Sequence, residues 1–329
     1  MSNDGGGGRH DTVPGPAPEG EASAATSERR ISRRRLLGFG LGGAAVIVIG
    51  GVTGLELVNH DVLPGKQILD SVDGACSVSS PPVEFAPLGP SISGQFYSHA
   101  RNRTVGYTIG YPPGYRPGEL LPLVVMLHGF GANHTNALAS MSPAQAMALK
   151  VGGRPLAPMA LVTVDGGGGY WNPHPNDNPM AMVMDELIPM CQHMGLGSPP
   201  HRIGTMGISM GGYGAILLAE KFPDQIRAVA AISPAVWTTY SEAKAANSGA
   251  YASASDFANC DAVTHASALA DTPVRIASGK DDPFHSGVAA LAAALPSSAT
   301  VEFSKGCHTG PFFIEQEPPT LAYLGDHLQ

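Results

Sequence analysis

The sequence contains few of the residues that bind nucleic acid. Its 329 residues include only 19 lysines and arginines, against 27 aspartates and glutamates. Six of the 19 and six of the 27 precede residue 59, so the rest of the chain keeps 13 basic and 21 acidic residues. No basic stripe remains to neutralise phosphates, so we expect no nucleic-acid partner.

Cysteine is also scarce, and metal-binding spacings are missing. The four cysteines form no CxxC pair and no His/Cys cluster, so zinc is not expected. The glycine run 166–169 lacks the lysine of a phosphate-binding loop, and we predict that no cofactor is bound. In an exported protein four cysteines can form two disulfides in three pairings, and buried free thiols are the alternative. The cysteines are Cys76, Cys191, Cys260 and Cys307.

The start of the chain is typical of an export signal. Residues 1–35 are rich in small and polar residues and contain the paired arginines, which predicts a disordered cytoplasmic region. Residues 32–38 read SRRRLLG, close to a twin-arginine motif, and an apolar segment follows at 36–58. That segment is about long enough to span a bilayer, which takes ~20 apolar residues.

No Ala-x-Ala cleavage site follows the apolar segment, so cleavage and membrane anchoring both stay open. We expect an exported protein of the cell envelope or the extracellular space. Its expected partners are the twin-arginine export machinery and, if the segment is uncleaved, the membrane. Residues 59–90 are rich in proline and predict a linker to a domain at 91–329.

Strand and helix patterns alternate through that domain. Two early segments, 92–99 and 105–111, predict an antiparallel pair. Apolar runs at 121–128 and 159–164 predict central strands that are buried on both faces. A final helix is expected at 319–327, and residues 238–272 show little pattern. The alternation predicts an α/β fold with a mostly parallel, doubly wound sheet and helices on both faces.

The segment Gly207-Ile208-Ser209-Met210-Gly211 fits the pattern G-x-S-x-G. Alone the pattern is weak, but here an apolar strand precedes it and an apolar helix follows. A serine on such a sharp turn has its hydroxyl exposed above the carboxyl ends of the strands. Ser209 is therefore the candidate nucleophile, and it needs an adjacent base.

The base and its acid partner should follow in the order Asp/Glu, then His. His308 follows the last predicted strand, where a loop can bring it over Ser209. Asp281 and Asp282 both follow the preceding strand, and the spacing from the glycine before them favours Asp282. Asp281 stays the alternative, with a role in capping a turn or helix.

Acyl transfer also needs donors for a tetrahedral oxyanion. We predict the backbone N–H groups of Met210 and of Phe130, which lies in the loop after the strand 121–128. Tyr170 and Trp171 lie on another loop at the same edge of the sheet and are candidates to line a substrate pocket, with a packed surface loop as the alternative.

Several segments together resemble one branch of the α/β-hydrolase superfamily. They read LPLVVMLHGFG, MGISMGGYGAILLAEKFPD, SGKDDPF and GCHTG, and Tyr170-Trp171 precedes a helix ending in DELIP. The branch is that of the putative esterases, which includes esterase D, feruloyl esterase modules and the antigen 85 mycolyltransferases, and the export signal is similar to that of secreted actinobacterial members. The resemblance covers about 91–329 and departs from the pattern at 238–272.

The resemblance implies acyl transfer through a covalent seryl intermediate without a cofactor. Our first hypothesis is a serine hydrolase that cleaves a carboxylic ester of a small molecule, glycolipid or carbohydrate. The alternative is a cell-envelope acyltransferase with the same triad. A serine peptidase and a non-catalytic scaffold are further hypotheses, which the lack of a propeller domain and the intact triad respectively disfavour.

Overall fold

The computed structural model describes residues 76–79, 82–200 and 202–329. The predicted disordered region 1–35, the apolar segment 36–58 and much of the linker 59–90 lie outside the described residues. Among the helices of the described chain, none is both long and apolar enough to cross a membrane.

The described chain alternates strands with helices. The strands are β1 (Glu84–Phe85), β2 (Ser91–Ser98), β3 (Arg103–Gly110), β4 (Leu123–Leu127), β5 (Leu149–Val151), β6 (Arg154–Pro155), β7 (Ala160–Val164), β8 (Ile203–Ile208), β9 (Ile226–Ile232), β10 (Val274–Gly279) and β11 (Thr300–Ser304). The helices are α1 (Pro143–Met147), α2 (Pro179–Ala181, continued by a π-helical stretch at Met182–Leu187 and by Ile188–His193), α3 (Met210–Lys221), α4 (Tyr240–Ala246), α5 (Ala254–Asn259), α6 (Ala262–His265, continued by a 3₁₀ turn at Ala266–Leu269), α7 (His285–Ala294) and α8 (Gly310–His327).

Eight of these strands form one sheet in the order β11-β10-β9-β8-β4-β7-β3-β2. The six strands from β11 to β7 are parallel, and β3 and β2 add an antiparallel edge. The predicted doubly wound sheet and its early antiparallel pair are both confirmed. In a parallel sheet the carboxyl ends of the strands share one edge, so the loops that follow β4, β7, β8, β10 and β11 meet there.

Alternating side chains of the central strands explain why the sheet is covered on both faces. Leu123, Val125 and Leu127 of β4 belong to one apolar cluster, and Val124 and Met126 belong to another. All five side chains are fully buried. Successive strand residues point to opposite faces, so a continuous apolar run requires helices on both sides.

Two boundaries differ from the predictions. Residues 84 and 85 of the predicted linker pair antiparallel with Lys150 and Leu149, so regular pairing begins before the predicted domain start at residue 91. The last helix, α8, starts at Gly310 rather than at 319, with Pro318 and Pro319 inside it. Proline in a helix interior normally breaks the helix, which is why the first turns of α8 were not predicted.

One buried carboxyl on α3 makes the stability depend on pH. Glu220 is buried, and neither of its carboxylate oxygens has a hydrogen-bond partner within the described residues. Burial raises the pKa of Glu220 from 4.5 to about 9. Between these values the unfolded chain has released a proton that the folded chain keeps. The stability that this group contributes is therefore complete below pH 4.5 and is lost as the pH rises towards 9.

We predict that Glu220→Gln removes this loss. The variant should gain in free energy of unfolding relative to wild type as the pH rises, by on the order of a few kcal/mol at pH 8. Urea unfolding at pH 5, 7 and 8.5 measures how the free energy of unfolding of each protein changes with pH. The matched control is Glu84→Gln, which removes an exposed carboxylate. Parallel pH dependences for wild type and Glu220→Gln would show that the carboxyl ionises freely in the fold.

Candidate active site

Ser209 lies on a strained turn between β8 and α3. Its φ of 56° and ψ of −120° are unusual for any residue other than glycine and cost on the order of 1–3 kcal/mol. The turn is held because Ser209 N–H donates to Ile232 O and Ser209 O accepts from the N–H groups of Tyr213 and Ala235. The strain is thereby offset by the packed ends of the neighbouring elements, and the hydroxyl stands at the carboxyl edge of the sheet.

The glycines on either side of Ser209 are required by close backbone contacts. A Cβ atom on Gly207 would lie 2.2 Å from the backbone of Gly211, and one on Gly211 would lie 1.9 Å from Leu127 O. Neither approach is sterically possible. The G-x-S-x-G pattern therefore follows from how tightly the turn brings β8 and α3 against β4.

Two consecutive hydrogen bonds join Ser209 to His308 and His308 to Asp282. His308 Nε2 lies 2.8 Å from Ser209 Oγ, and His308 Nδ1 lies 2.9 Å from Asp282 Oδ2. The Asp282 side chain is fully buried, and its Oδ1 accepts from Phe284 N–H at 2.8 Å. With Nδ1–H donating to this carboxylate, Nε2 of the neutral ring can accept the Ser209 proton. Of the two candidate acids, Asp282 is the one whose carboxylate accepts from His308 Nδ1–H.

A disulfide holds the loop that carries His308. Cys307, one residue before it, is buried and bonded to Cys76, 231 residues away in sequence. The other two cysteines, Cys191 and Cys260, are buried free thiols. The four residues therefore form one disulfide rather than the two that an even number allows.

We predict that this disulfide stabilises the fold by about 2–5 kcal/mol, since it closes a very long loop of the unfolded chain. A reductant should lower the melting temperature of wild type by about 10 °C. Cys76→Ser should melt at the lower temperature and no longer respond to reductant. Calorimetry with and without dithiothreitol provides the comparison. An equal response of Cys76→Ser to reductant would assign the effect to something other than this bond.

The two predicted oxyanion donors flank Ser209. Met210 is the first residue of α3, and Phe130 lies on the loop after β4, whose Gly129 is close to Ile208 and Ser209. Within residues 82–200 and 202–329, neither the Phe130 N–H nor the Met210 N–H donates to a protein acceptor. Both donors are therefore available to a substrate oxygen, as an oxyanion site requires.

His128 fixes the loop that carries Phe130. Its ring is buried, its Nδ1–H donates to Gly129 O at 2.7 Å, and its Nε2 accepts from Gly166 N–H at 2.8 Å. Burial lowers the pKa of His128, which suits a neutral ring with one donor and one acceptor. The ring thus joins the loops after β4 and β7.

Of the two predicted pocket residues, Tyr170 lines a cavity and Trp171 does not. Both have positive φ, 56° and 58°. Tyr170 lines a cavity beside Ser209. The prediction that Trp171 lines the pocket is wrong in the structure, because the indole is buried below the loop, against Gly166 and Gly214, and donates to His128 O. Trp171 supports the loop instead of facing a ligand.

Two cavities open beside Ser209 and His308. The larger, of about 540 Å³, is lined by four aromatic side chains and by residues 244–248, at the end of α4 and just beyond it; we call it the aromatic cleft. Its aromatic residues are Phe130, Tyr170, Trp237 and Phe284. The smaller, of about 360 Å³, is lined mainly by apolar residues of the loop after β4 and of α8; we call it the apolar pocket. Its apolar residues include Ala137, Leu138, Ala139, Ile208 and Phe313.

Most of these lining residues were missed by sequence reasoning. Trp237 and Phe284 follow the strands β9 and β10, so their position at the carboxyl edge was a usable signal. Leu138 and Phe313 carry no such signal, because they reach the pocket through the packing of a loop and a helix. Among the described residues, no group of three or more His, Cys, Asp or Glu side chains could hold a metal ion.

The parallel sheet, the serine turn between strand and helix, and a histidine after the last strand are the architecture of an α/β-hydrolase. Known proteins give the same result. Residues 98–303 match the family model described as "Putative esterase", and the chain belongs to that family. The protein is accordingly a carboxylic ester hydrolase. A search of curated protein sequences finds no match.

Solved structures share the fold at low identity. An S-formylglutathione hydrolase from Agrobacterium tumefaciens is similar with a TM-score of 0.59 and 18% identity, over 75% of this chain and 99% of that one. A ferulic acid esterase has a TM-score of 0.59 and 16% identity, over 73% and 98%. MPT51 of Mycobacterium tuberculosis has a TM-score of 0.56 and 16% identity, over 76% and 100%.

Proposed function

We propose that the protein hydrolyses a carboxylic ester through an acyl-serine intermediate, with Ser209 as nucleophile, His308 as base and Asp282 as the acid that orients His308. The observation that carries the proposal is the row of two hydrogen bonds, 2.8 Å and 2.9 Å long, that joins the three side chains. A serine hydroxyl is a weak nucleophile at neutral pH, and such a row is what activates it.

In the proposed acylation step, Ser209 Oγ bonds to the ester carbonyl carbon while His308 Nε2 takes the hydroxyl proton. The carbonyl oxygen becomes an oxyanion that accepts from the N–H groups of Phe130 and Met210. The bond to the alcohol oxygen then breaks, and His308 returns the proton to the leaving alcohol. Asp282 stays ionised and stabilises the imidazolium throughout.

In deacylation, water takes the place of the alcohol. His308 removes a proton from water, whose oxygen attacks the acyl carbon. The bond between that carbon and Ser209 Oγ then breaks, His308 returns the proton to Oγ, and the carboxylic acid leaves. The test uses a panel of phenyl esters with acyl chains of two to twelve carbons, and hydrolysis is measured as the release of phenol. We expect turnover with at least part of the panel; a folded enzyme that cleaves none of these esters would contradict the proposal.

An acyltransferase is the second candidate, and the two cavities favour it. Both border Ser209 and His308, so one could hold the acyl group and the other an acceptor alcohol. The test is product partitioning with added glycerol or glucose. New esters formed at the expense of free acid would indicate transfer, whereas an unchanged yield of acid would indicate hydrolysis alone.

We also propose that the enzyme acts outside the cytoplasm. The motif SRRRLLG at 32–38 supports export by the twin-arginine machinery, and the disulfide suits an oxidising compartment. Anchoring by 36–58 is the alternative to release. Cell fractionation with an Arg33→Lys, Arg34→Lys double variant tests this. Retention of the variant in the cytoplasm is expected, and equal export of variant and wild type would contradict it.

A further inference from the structure

Part of the lining of the aromatic cleft comes from a segment whose sequence shows little pattern. This lining segment is residues 244–248, at the end of α4 and just beyond it. It includes Lys244, whose side chain is exposed. Four aromatic side chains line the same cleft, and so do Ser209 and His308. A substrate that extends from Ser209 along the cleft therefore reaches Lys244.

Lys244 is the only lysine or arginine among the described residues that line either cavity. No carboxylate of the described chain lies within ion-pair distance of it. Its ammonium group lies 5.7 Å from the centre of the Tyr240 ring, one turn earlier on α4, and this contact favours a position near the helix.

The nearest acid on α4 is already occupied. Glu242 accepts from the N–H groups of Thr238 and Thr239 and from the Thr238 hydroxyl, in the cap of the helix. Asp282 is likewise occupied by His308. The cleft thus carries an uncompensated positive charge in a chain whose net charge is −8. A positive charge without a carboxylate partner beside an open cleft can pair with an anionic ligand.

We infer that Lys244 is a specificity-determining residue, which selects esters whose part in the aromatic cleft carries a carboxylate at its far end. The inference rests on the proposed function of the same site and adds the charge of the substrate. A partly exposed pair of this kind changes affinity a few-fold, weakens in salt, and becomes repulsive if the lysine is replaced by an acid.

The test compares two matched pairs of esters. In the first pair the charge is on the alcohol: 4-carboxyphenyl butyrate against 4-carbamoylphenyl butyrate. In the second pair it is on the acyl group: the monophenyl ester of adipic acid against that of adipamic acid. The readout is the ratio of kcat/KM for the carboxylate to kcat/KM for the amide, in wild type, Lys244→Met and Lys244→Glu.

In one of the two pairs we expect the ratio to fall about fivefold in Lys244→Met and about twentyfold in Lys244→Glu, with a smaller contrast in 0.5 M NaCl. The pair that responds shows which part of the ester occupies the cleft. Lys150→Met is the matched control, because Lys150 lines a different cavity, and its ratios should equal those of wild type. Ratios that stay within twofold of wild type in both pairs would overturn the inference.

Binding of the two carboxylate products, 4-hydroxybenzoate and adipate, gives the same comparison without turnover. Trp237 lines the cleft, so tryptophan fluorescence can follow it. We expect weaker binding of one product to Lys244→Met and weaker still to Lys244→Glu. Failure to cleave any of the four esters would contradict the proposed hydrolase, whereas equal binding by all three proteins would contradict the role of Lys244.

Discussion

Replacing Ser209 with alanine is expected to lower kcat by about 10⁴-fold or more, because the variant has no oxygen to form the acyl intermediate. The fold should survive. The turn is held by backbone hydrogen bonds of residue 209, and these do not involve the hydroxyl. Phenol release from the best ester of the panel measures the activity, and circular dichroism with a melting curve reports the fold.

Ser233 provides the matched control for this substitution. It also follows a central strand, has positive φ and is buried, but its hydroxyl has no hydrogen-bond partner among the described residues. Ser233→Ala should keep kcat within a few-fold of wild type and leave the stability equal or slightly higher, since it removes a buried unpaired hydroxyl. An equal loss of kcat in Ser209→Ala and Ser233→Ala would mean that both serines act through the structure and that Ser209 is not the nucleophile.

Asp282→Asn should lower kcat by about 10³- to 10⁴-fold. The carboxylate accepts from His308 Nδ1–H and thereby leaves Nε2 free to take the Ser209 proton. An asparagine amide can donate to Nδ1 instead, which favours the tautomer with a proton on Nε2 and blocks the base. The substitution should lower kcat and leave KM for the ester almost unchanged.

The neighbouring Asp281 is the control, since the sequence left both acids open. Asp281→Asn should stay within a few-fold of wild type, because His308 pairs with Asp282 in the structure. The kinetics of both variants with the same ester decide which aspartate orients His308. A large loss in Asp281→Asn together with a small one in Asp282→Asn would contradict the proposed triad.

The sequence was most informative where local pattern determines position. Runs such as 121–128 are apolar on both faces, as central strands must be, and G-x-S-x-G between such a strand and an apolar helix predicted where Ser209 would lie. His308 and Asp282 could be proposed because loops after parallel strands meet at one edge. The structure brings all three side chains together at hydrogen-bond distance.

The remaining features depend on packing between distant parts of the chain. Trp171 was predicted to line a pocket, yet the space next to Gly166 and Gly214 accommodates its indole below the surface. The pairing of Cys76 with Cys307 joins residues 231 positions apart, which spacing cannot select. The cation of the cleft, Lys244, lies in a segment whose sequence shows no clear pattern, and only the fold places it in one cavity with Ser209 and the aromatic side chains.

Whether His308 activates Ser209 is tested most directly by labelling the full chain with a fluorophosphonate and locating the label by mass spectrometry of the modified peptide. We expect one label per chain, on Ser209, with labelling at least 100-fold slower in His308→Ala and absent in Ser209→Ala. Labelling that persists in Ser209→Ala, or proceeds at the wild-type rate in His308→Ala, would contradict the activation of Ser209 by His308.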